Sequence, residues 1–573
     1  EVEYEELPHV LDMEEAMKPD APLVCPHGNV REPTVVDWGD LKIGYKEADH
    51  IIEHRTTMEA QQHAPIGLNG CVAECIGGKL TMWTSTQTPF GVRDVMAKYL
   101  KIPMNRIRVI SLPAGGSFGL WWLNNFHFIT VLLAKKAKKP VKLILTREET
   151  FATVKRRDIP ISTVRLGVKK DGTFTAIHMK HLFDNGAYGF KVNPYESISD
   201  LWTHNTKHGK FEFYGVSNNL LTGGCMRGVG DLAEAFCMEQ VIDMAAEKIG
   251  MSPLEIRLKN HVRAGEPQRS DNFVFDAMDI PVPEIVLSSS GLEKCIMKGA
   301  EAMGWEEKWK GFGKPYEVEG TKRRAIGVGV ACHISGQRHL GSPAVFVKIY
   351  HDATVHVLTG VGCCGQGVET TQAQIVAEEL GVPVEMVKGV HGDTDVCPWA
   401  QATVASTHAH ITGRASRAAA ADAKKKICEL AATVMDCEAE DIDIKKARIF
   451  LKSDPDRSIP ITEVTEKILE ADGTFFGPTI IGAAVENVPV SPVARMFMAH
   501  FADLEVDTET GKIKLLNYVA AHDSGTIINP EIAENQALGG VIQAAGLALS
   551  ERLIFDEATG QILNPNFIDY KLL

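Results

Sequence analysis

Residues 359–382, TGVGCCGQGVETTQAQIVAEELGV, constrain the fold of this chain more than any other stretch. Ahead of the loop, Ala344 to Leu358 alternates as strands do, with a polar turn at His351 and Asp352. Behind it, Glu369 to Leu380 places small or apolar residues at Ala373, Val376, Ala377 and Leu380, the spacing of a helix. Between the two lies GCCGQG, residues 362–367, with two thiols and one carboxamide as its only side chains. Such a loop lets a ligand reach backbone N–H groups at a helix start, where anions are favoured. Gln366 adds a donor and an acceptor without net charge. In isolation this is indistinguishable from an ordinary Gly-rich turn; its weight comes from similar loops elsewhere.

The first of these is PAGGSFG, residues 113–119, after a strand expected over Ile107–Leu112 and before an apolar helix expected over Leu120–Ala134. The next, LLTGGCMRGVG at 220–230, carries Arg227 as its only charge. A guanidinium among glycines suits an anionic or oxo ligand held by a fork of donors, with capping of nearby carbonyls as the alternative. The last follows Gln536, where Gln536, Gly539, Gly540 and Gln543 fall at i, i+3, i+4 and i+7. One helix face there offers two carboxamides around a bare backbone, which is not a core stripe. An internal echo links the chain's halves: TQTPFGVRDVMAKYLKIPMNRIRVI and TTQAQIVAEELGVPVEMVKGV share Thr-Gln, a helix, an apolar-Pro step and a strand. They read as one αβ unit used twice, each delivering a glutamine near a helix start, or as a chance likeness of two such units. The polar loops HGDTD at 391–395 and ATVAST at 402–407 can hold a phosphate or can be plain turns.

At 573 residues the chain exceeds one hydrophobic core and implies about three to five domains. Mixed α/β elements recur throughout: strands over Thr163–Val168 and Phe174–Phe183, a helix over Leu232–Ile249 closed by Gly250, and a short helix from the Met251–Arg257 run. Arg147-Glu-Glu149 reads as a polar turn and EVEYEEL at the start as a strand. A polar segment at 263–322 separates 61–262 from 323–573, with 1–60 as a preceding remnant and connection. An Ala-rich helix over Arg414–Val434 and a hairpin turned at Glu509-Thr-Gly511 follow. His63 before Ala-Pro-Ile-Gly is a loop histidine that structure alone can explain.

A net charge of −14 with no long basic run excludes a nucleic-acid surface, and no apolar run reaches the length of a membrane span. The twelve cysteines show no zinc or iron–sulfur spacing, so no protein metal-ligand set is expected and most are reduced thiols of a cytoplasmic protein. Neither a Walker loop nor a Rossmann fingerprint is present. Glu1 and Leu573 both fall inside what reads as continuing structure, implying a fragment or one chain of a split polypeptide. Taken together, the loops imply a large, buried ligand held by backbone amides and glutamines.

The motifs TSTQTP, GGSFG, DNGAY, MRGVG, GMSPLEIRLKN, GCCGQGVETTQAQIVAEELGV, DTD, TVAST, VDTETG, DSGTIINP and NQALGGVIQAAG stand in family order. Over nearly its whole length the chain resembles the molybdenum-binding large subunit of the xanthine dehydrogenase/aldehyde oxidoreductase family. The resemblance implies an α+β, mixed α/β, multi-domain fold with a molybdopterin buried between domains, in the cytosine dinucleotide form, its metal held by the pterin dithiolene. It implies Gln87 at the metal's oxo group and Gly116, Ser117, Phe118 and Gly119 lining the metal's approach. Arg227, Gly365, Gln366, Gly367, Gln536 and Gly540 would hold the pterin, and Ser406 the phosphate end. Gln87, Phe118 and Arg227 are the residues nearest the chemistry on this reading.

The implied reaction is oxidative hydroxylation of an aldehyde or N-heteroaromatic carbon with water. A metal makes hydroxide available near neutral pH, while the protein supplies position and electrostatics. Electrons would leave through [2Fe-2S] clusters to FAD on separate iron–sulfur and FAD subunits, the whole assembling as a dimer of heterotrimers.

The chain departs from the family at three places. The general-base glutamate of a Gly-x-Gly-Glu loop would lie beyond Leu573, Leu120-Trp121-Trp122 stands where a basic residue often follows GGxFG, and His-Ala-Pro-Ile-Gly replaces a Met-Glu loop. A carbon monoxide dehydrogenase-like subunit, for which Cys363 and Cys364 keep a thiol role open, a reductive hydroxybenzoyl-CoA reductase-like subunit and a non-catalytic scaffold remain alternatives.

Overall fold

The computed structural model describes residues 3, 5, 7–120, 122–188, 199–268, 285–334, 341–466, 480–486 and 495–573. Its framework is one mixed α/β unit used twice. In the first copy the hairpin Gly70–Ile76/Lys79–Thr84 is followed by the helix Pro89–Leu100. The strand Ile107–Ser111 then lies parallel to Lys79–Thr84. The helix Asn125–Ala137 leads to Val141–Ile144, antiparallel to Gly70–Ile76 on the other side. The second copy repeats every step. It has the hairpin Ala344–Ile349/Val355–Thr359, the helix Val368–Leu380 and the parallel strand Val387–His391. The helix Gly413–Met435 then leads to the antiparallel strand Ile480–Val485. Both sheets therefore have the same four-strand order, counted by position within each unit. Alternation along the strands explains this: Ile107 and Val109, like Val355 and Val357, are buried, and their neighbours face outward.

The two copies meet edge to edge. Ile110 and Asp393 form a β-bridge; Ser111 N donates to Gly392 O at 2.9 Å, and Thr394 N to Val109 O at 3.1 Å. Arg108 closes the joint with a fork onto both carboxylate oxygens of Asp393, at 3.0 and 2.6 Å. The Asp-Thr-Asp loop is thus occupied in a structural joint. The Ala-rich helix packs so closely on the second sheet that a Cβ on Gly482 would stand 2.7 Å from the Ala423 backbone N. Ala419, Ala420 and Ala423 are fully buried there, while Lys425 faces solvent.

Two further sheets flank these units. One has five strands in the order Thr34–Trp38, His208–Val216, Phe174–Asp184, Pro160–Val168, His50–Thr57. The other has four, in the order Glu317–Glu319, Lys322–Ile334, Arg495–Asp507, Ile513–Asp523. The helix Asp231–Ile249 packs on both. A single apolar core containing Val164, Phe211, Val241, Ile242, Val330 and Phe501 therefore runs from one sheet to the other. Fully buried Arg257, in the helix Pro253–Asn260, ties this region together. Its Nε donates to Glu239 at 2.9 Å and its Nη1 to Asp243 at 2.7 Å, and the same Glu239 oxygen accepts from Val330 N at 2.8 Å.

Several local expectations need correction. The helix expected from Leu120 begins at Asn125, because Asn124 and His127 form a reciprocal cap that fixes the start. The residues Arg147–Glu149 are the first turn of a helix, Arg147–Thr153, with Thr146 and Glu149 as its capping box. The echo's second glutamine, Gln372, does not reach a cleft. It lies inside its helix, fully buried, accepting from Ser416 and within 3.1 Å of His408. The expected opening strand lies mostly outside the described residues, and residues 3, 5 and 7 form no strand. Among the described residues, no helix is long and apolar enough to cross a membrane.

Burial pushes the Glu239 carboxyl up, against the pull of Arg257. Replacing Arg257 by Met should therefore cost ~3–5 kcal/mol at neutral pH, as for a buried charge deprived of its partner. Part of that loss should return on acidification as Glu239 takes a proton. Urea midpoints for both proteins at pH 7 and pH 5.5 check this; a gap that widens at lower pH would contradict it.

Candidate functional site

The joint between the two units brings the loops that follow their adjacent parallel strands into contact. Gln87 lies just before the helix Pro89–Leu100, in the slot where Thr88 and Pro89 set the helix start. Its Nε2 donates to Thr403 O at 2.6 Å, its carbonyl accepts from Thr403 N at 2.9 Å, and its Oε1 accepts from Ser117 Oγ. Thr403 in turn donates its hydroxyl to Gly362 O at 2.7 Å. Gln87 and Ser117 are both buried, and three of the predicted loops are tied through them.

The loop at 113–119 turns on left-handed residues. Gly116 has φ 89°, Gly119 φ 112°, and Phe118 itself φ 57°, a conformation costly for an aromatic residue. Gly119 is obligatory, since a Cβ there would meet the Cys225 carbonyl oxygen at 2.5 Å. The Phe118 carbonyl accepts from Arg227 N at 2.8 Å, and the Arg227 guanidinium lies 5.3 Å from the centre of the Phe118 ring. The guanidinium then reaches across to the helix Pro530–Leu549. Its Nη2 donates to Gln536 Oε1 at 3.0 Å and its Nη1 to Gln543 Oε1 at 3.3 Å. Gly539, between those glutamines, has Arg227 Nη1 3.3 Å from where a Cβ would stand, and Gly540 has open space there. Burial lowers the Arg227 pKa while Cys364 opposes that shift.

Because Arg227 can only donate, both carboxamides turn their oxygens to it. Their NH₂ groups have no partner among the described residues. The site is therefore rich in donors and in bare backbone, the complement of a ligand rich in acceptors. Gln366 is different. It folds onto its own loop, accepting from Cys364 N at 2.8 Å and Cys364 Sγ at 3.2 Å, with Nε2 3.4 Å from Gly362 O. Gly365 (φ 104°) and Gly367 (φ 78°) flank it, and Gly365 has open space beside it. Ser406 is exposed, with φ 53°, next to Ala405 with φ 46°. A single π-helical turn, His408–Thr412, follows directly and re-aims the chain into the helix Gly413–Met435.

Residue-by-residue expectation missed several partners. Thr403 reads in sequence only as a loop hydroxyl, and nothing local marks Gln61 and Arg157 as standing behind Arg227. The doublets Gln61-Gln62 and Arg156-Arg157 were the available signal. His63 is buried and donates from Nε2 to Cys225 O at 2.8 Å; burial holds its pKa down to about 4, so the imidazole is neutral. Trp121 lies outside the described residues. Among those described, no group of three or more His, Cys, Asp or Glu is arranged to hold a metal ion.

A family model described as a molybdopterin cofactor-binding domain matches residues 25–261, and a second of the same description matches residues 298–573. The chain is 29% identical, over all of its length and 75% of the relative's, to the xanthine dehydrogenase molybdenum-binding subunit of Escherichia coli O157:H7. It is 25% identical, over all of its length and 74% of the relative's, to the carbon monoxide dehydrogenase large chain of Hydrogenophaga pseudoflava. The crystal structure of quinoline 2-oxidoreductase from Pseudomonas putida 86 covers the whole chain and 74% of that protein's chain, with a TM-score of 0.87 at 27% identity. Fold and comparisons together define a molybdopterin-dependent oxidoreductase. The chain belongs to the molybdenum-binding large subunits of the xanthine dehydrogenase/aldehyde oxidoreductase family.

Burial pushes the Cys364 thiol up to about 12, with Cys363 adding to the shift and Arg227 opposing it. Cys364 should therefore resist iodoacetamide at pH 8, because the thiolate is the nucleophile. Mass-spectrometric mapping of alkylated cysteines in the folded protein decides it; rapid labelling of Cys364 would contradict the assignment.

Proposed function

We propose that this chain is the catalytic large subunit of a molybdenum hydroxylase that oxidises an aldehyde or N-heteroaromatic carbon with water as the oxygen source. The observation that carries this reading is the Arg227 fork. It turns two carboxamide oxygens inward and leaves their NH₂ groups for the acceptor atoms of a pterin. The bare backbone at Gly540 and Gly365 supports the same ligand, since a Cβ at either would enter open space. These features fit molybdopterin, which both matching family models are described as binding.

On this reading Arg227, Gln536, Gly540, Gly365, Gln366 and Gly367 hold the pterin, and Ser406 holds the phosphate end of a cytosine dinucleotide form. Gln87 stands at the metal, its amide pre-oriented by Ser117 and Thr403. Gly116 to Gly119, with Phe118, wall the substrate's approach. The cofactor, when bound, supplies an electron sink and a Lewis acid that makes hydroxide available near neutral pH. The protein's share is to orient: Phe118 is fixed by its carbonyl bond to Arg227, so one pair places both the substrate wall and the pterin donor. Electrons would leave to [2Fe-2S] and FAD subunits in a heteromeric complex, taken as a dimer of heterotrimers. The free state of all twelve cysteines supports a reducing, cytoplasmic location. We assign 61–262 and 323–573 as the two cofactor-binding regions, joined by 263–322 and preceded by 1–60.

The test is molybdenum and released pterin per chain, by mass spectrometry on complex purified without oxygen. Near one of each is expected in the wild type. Arg227→Ala should lower pterin content about tenfold, the worth of one or two charge-assisted hydrogen bonds. A folded wild-type complex without molybdenum or pterin would overturn the proposal.

A further inference from the structure

Arg227 is joined to the helix Pro530–Leu549 by two routes that close into a ring. The front route is the guanidinium fork onto Gln536 and Gln543. The rear route starts at the Arg227 carbonyl, which accepts from Arg157 Nη2 at 2.8 Å. Arg157 Nε donates to Gln61 Oε1 at 3.0 Å, and Gln61 Nε2 donates to the Gln543 carbonyl at 2.9 Å. Residues 227 and 543 are thus linked through their side chains in front and through Arg157 and Gln61 behind.

The rear route is dry. Gln61 is 1% exposed, Arg157 8%, Glu551 4% and Tyr570 0%. Gln61 Nε2 also donates to Glu551 Oε2 at 3.0 Å, and the Tyr570 hydroxyl donates to the same oxygen at 2.8 Å. The backbone repeats the link, since Arg157 N donates to Gln61 O at 2.8 Å. A guanidinium only donates and a carboxylate only accepts, so the Gln61 amide has one orientation that satisfies both neighbours. In a buried network each member left unpaired is costly, which makes the arrangement stiff.

We infer that Gln61 is a positioning residue of the cofactor site. It sets the spacing between the Arg227 backbone and Gln543, and through that spacing the reach of the guanidinium fork. What the fork holds rests on the molybdopterin reading above; the ring itself belongs to the chain. Gln61 touches no ligand in this scheme and acts only through Arg227 and Gln543.

The experiment is a double-mutant cycle on the purified complex, with the rate of pterin release after dilution as readout. Gln61→Met should speed release about tenfold, in keeping with the loss of one or two buried hydrogen bonds. In an Arg227→Ala background the same substitution should change release by no more than about twofold, because the group it positions is gone. Effects that simply multiply, or no effect of Gln61→Met alone, would overturn the inference. Gln61→Asn keeps both polar groups but is one methylene too short to span the gap, and it carries the same test should the methionine variant not fold. Amide hydrogen exchange gives a readout that needs no cofactor. Gln61→Met should quicken exchange at residues 226–230 and leave 236–249 unchanged; unchanged exchange at 226–230 would refute the ring's role. A wild-type complex without pterin would defeat the functional reading, and the exchange pattern would then decide the ring alone.

Discussion

The architecture depends on one joint, where the edge strands of two like sheets close on each other. Exposed strand edges invite unwanted pairing, and here the end of the strand Ile107–Ser111 is covered by residues 392–394, which follow the edge strand Val387–His391 of the other unit. The backbone bonds between Ser111 and Gly392 and between Thr394 and Val109 set the register, and the Arg108–Asp393 fork locks it. Because the strands run out at this point, the loops that follow them are pressed together. Gly362 comes so near Gln87 that a Cβ would stand 3.0 Å from the Gln87 Cα. The positions of Gln87, Thr403 and Ser117 follow from the joint.

Much of this was legible in the sequence. The Gly-rich loops at 113–119, 220–230 and 362–367 stood out together because they recur in distant parts of the chain, although each alone matches an ordinary turn. The Gln536/Gln543 face stood out because a core helix would not expose carboxamides beside bare backbone. Molybdopterin itself came from the resemblance; spacing alone reached only a large ligand held by amides. What stayed hidden was long-range partnership. Gln87 and Thr403 are 316 positions apart, and nothing local in either predicts the other. The shared Thr-Gln aligns Gln372 with Gln87, but five positions into a helix a side chain can as readily face inward, as Gln372 does. The Leu120–Leu123 run looked helical by apolar content, but the Asn124 cap decided the start. The Thr146–Glu149 capping box is legible in the sequence, but its run of charges equally resembles a polar turn.

Buried imidazoles share a physical role with the buried carboxamides. His127 lies 3.1 Å from Thr84 Oγ1 at the end of a strand, and His408 bridges Thr371 and Gln372 in the matching unit. Burial lowers both to about 4, as it does His63. Each is a neutral hydrogen-bonding strut, and the unfolded chain binds more protons than the native one between their ordinary value near 6.5 and about 4. The stability they contribute is whole above that window and drains away as pH falls through it.

The distance in sequence between the parts of the site has a consequence for biogenesis. Arg227 and Gln543 lie 316 residues apart, so no stretch leaving the ribosome early can form the fork. Contacts of such long separation close late in folding. The fork comes into being only when the loop at 220–230 and the helix Pro530–Leu549 have both formed and met. The order in which these parts assemble is therefore set by the chain's own topology.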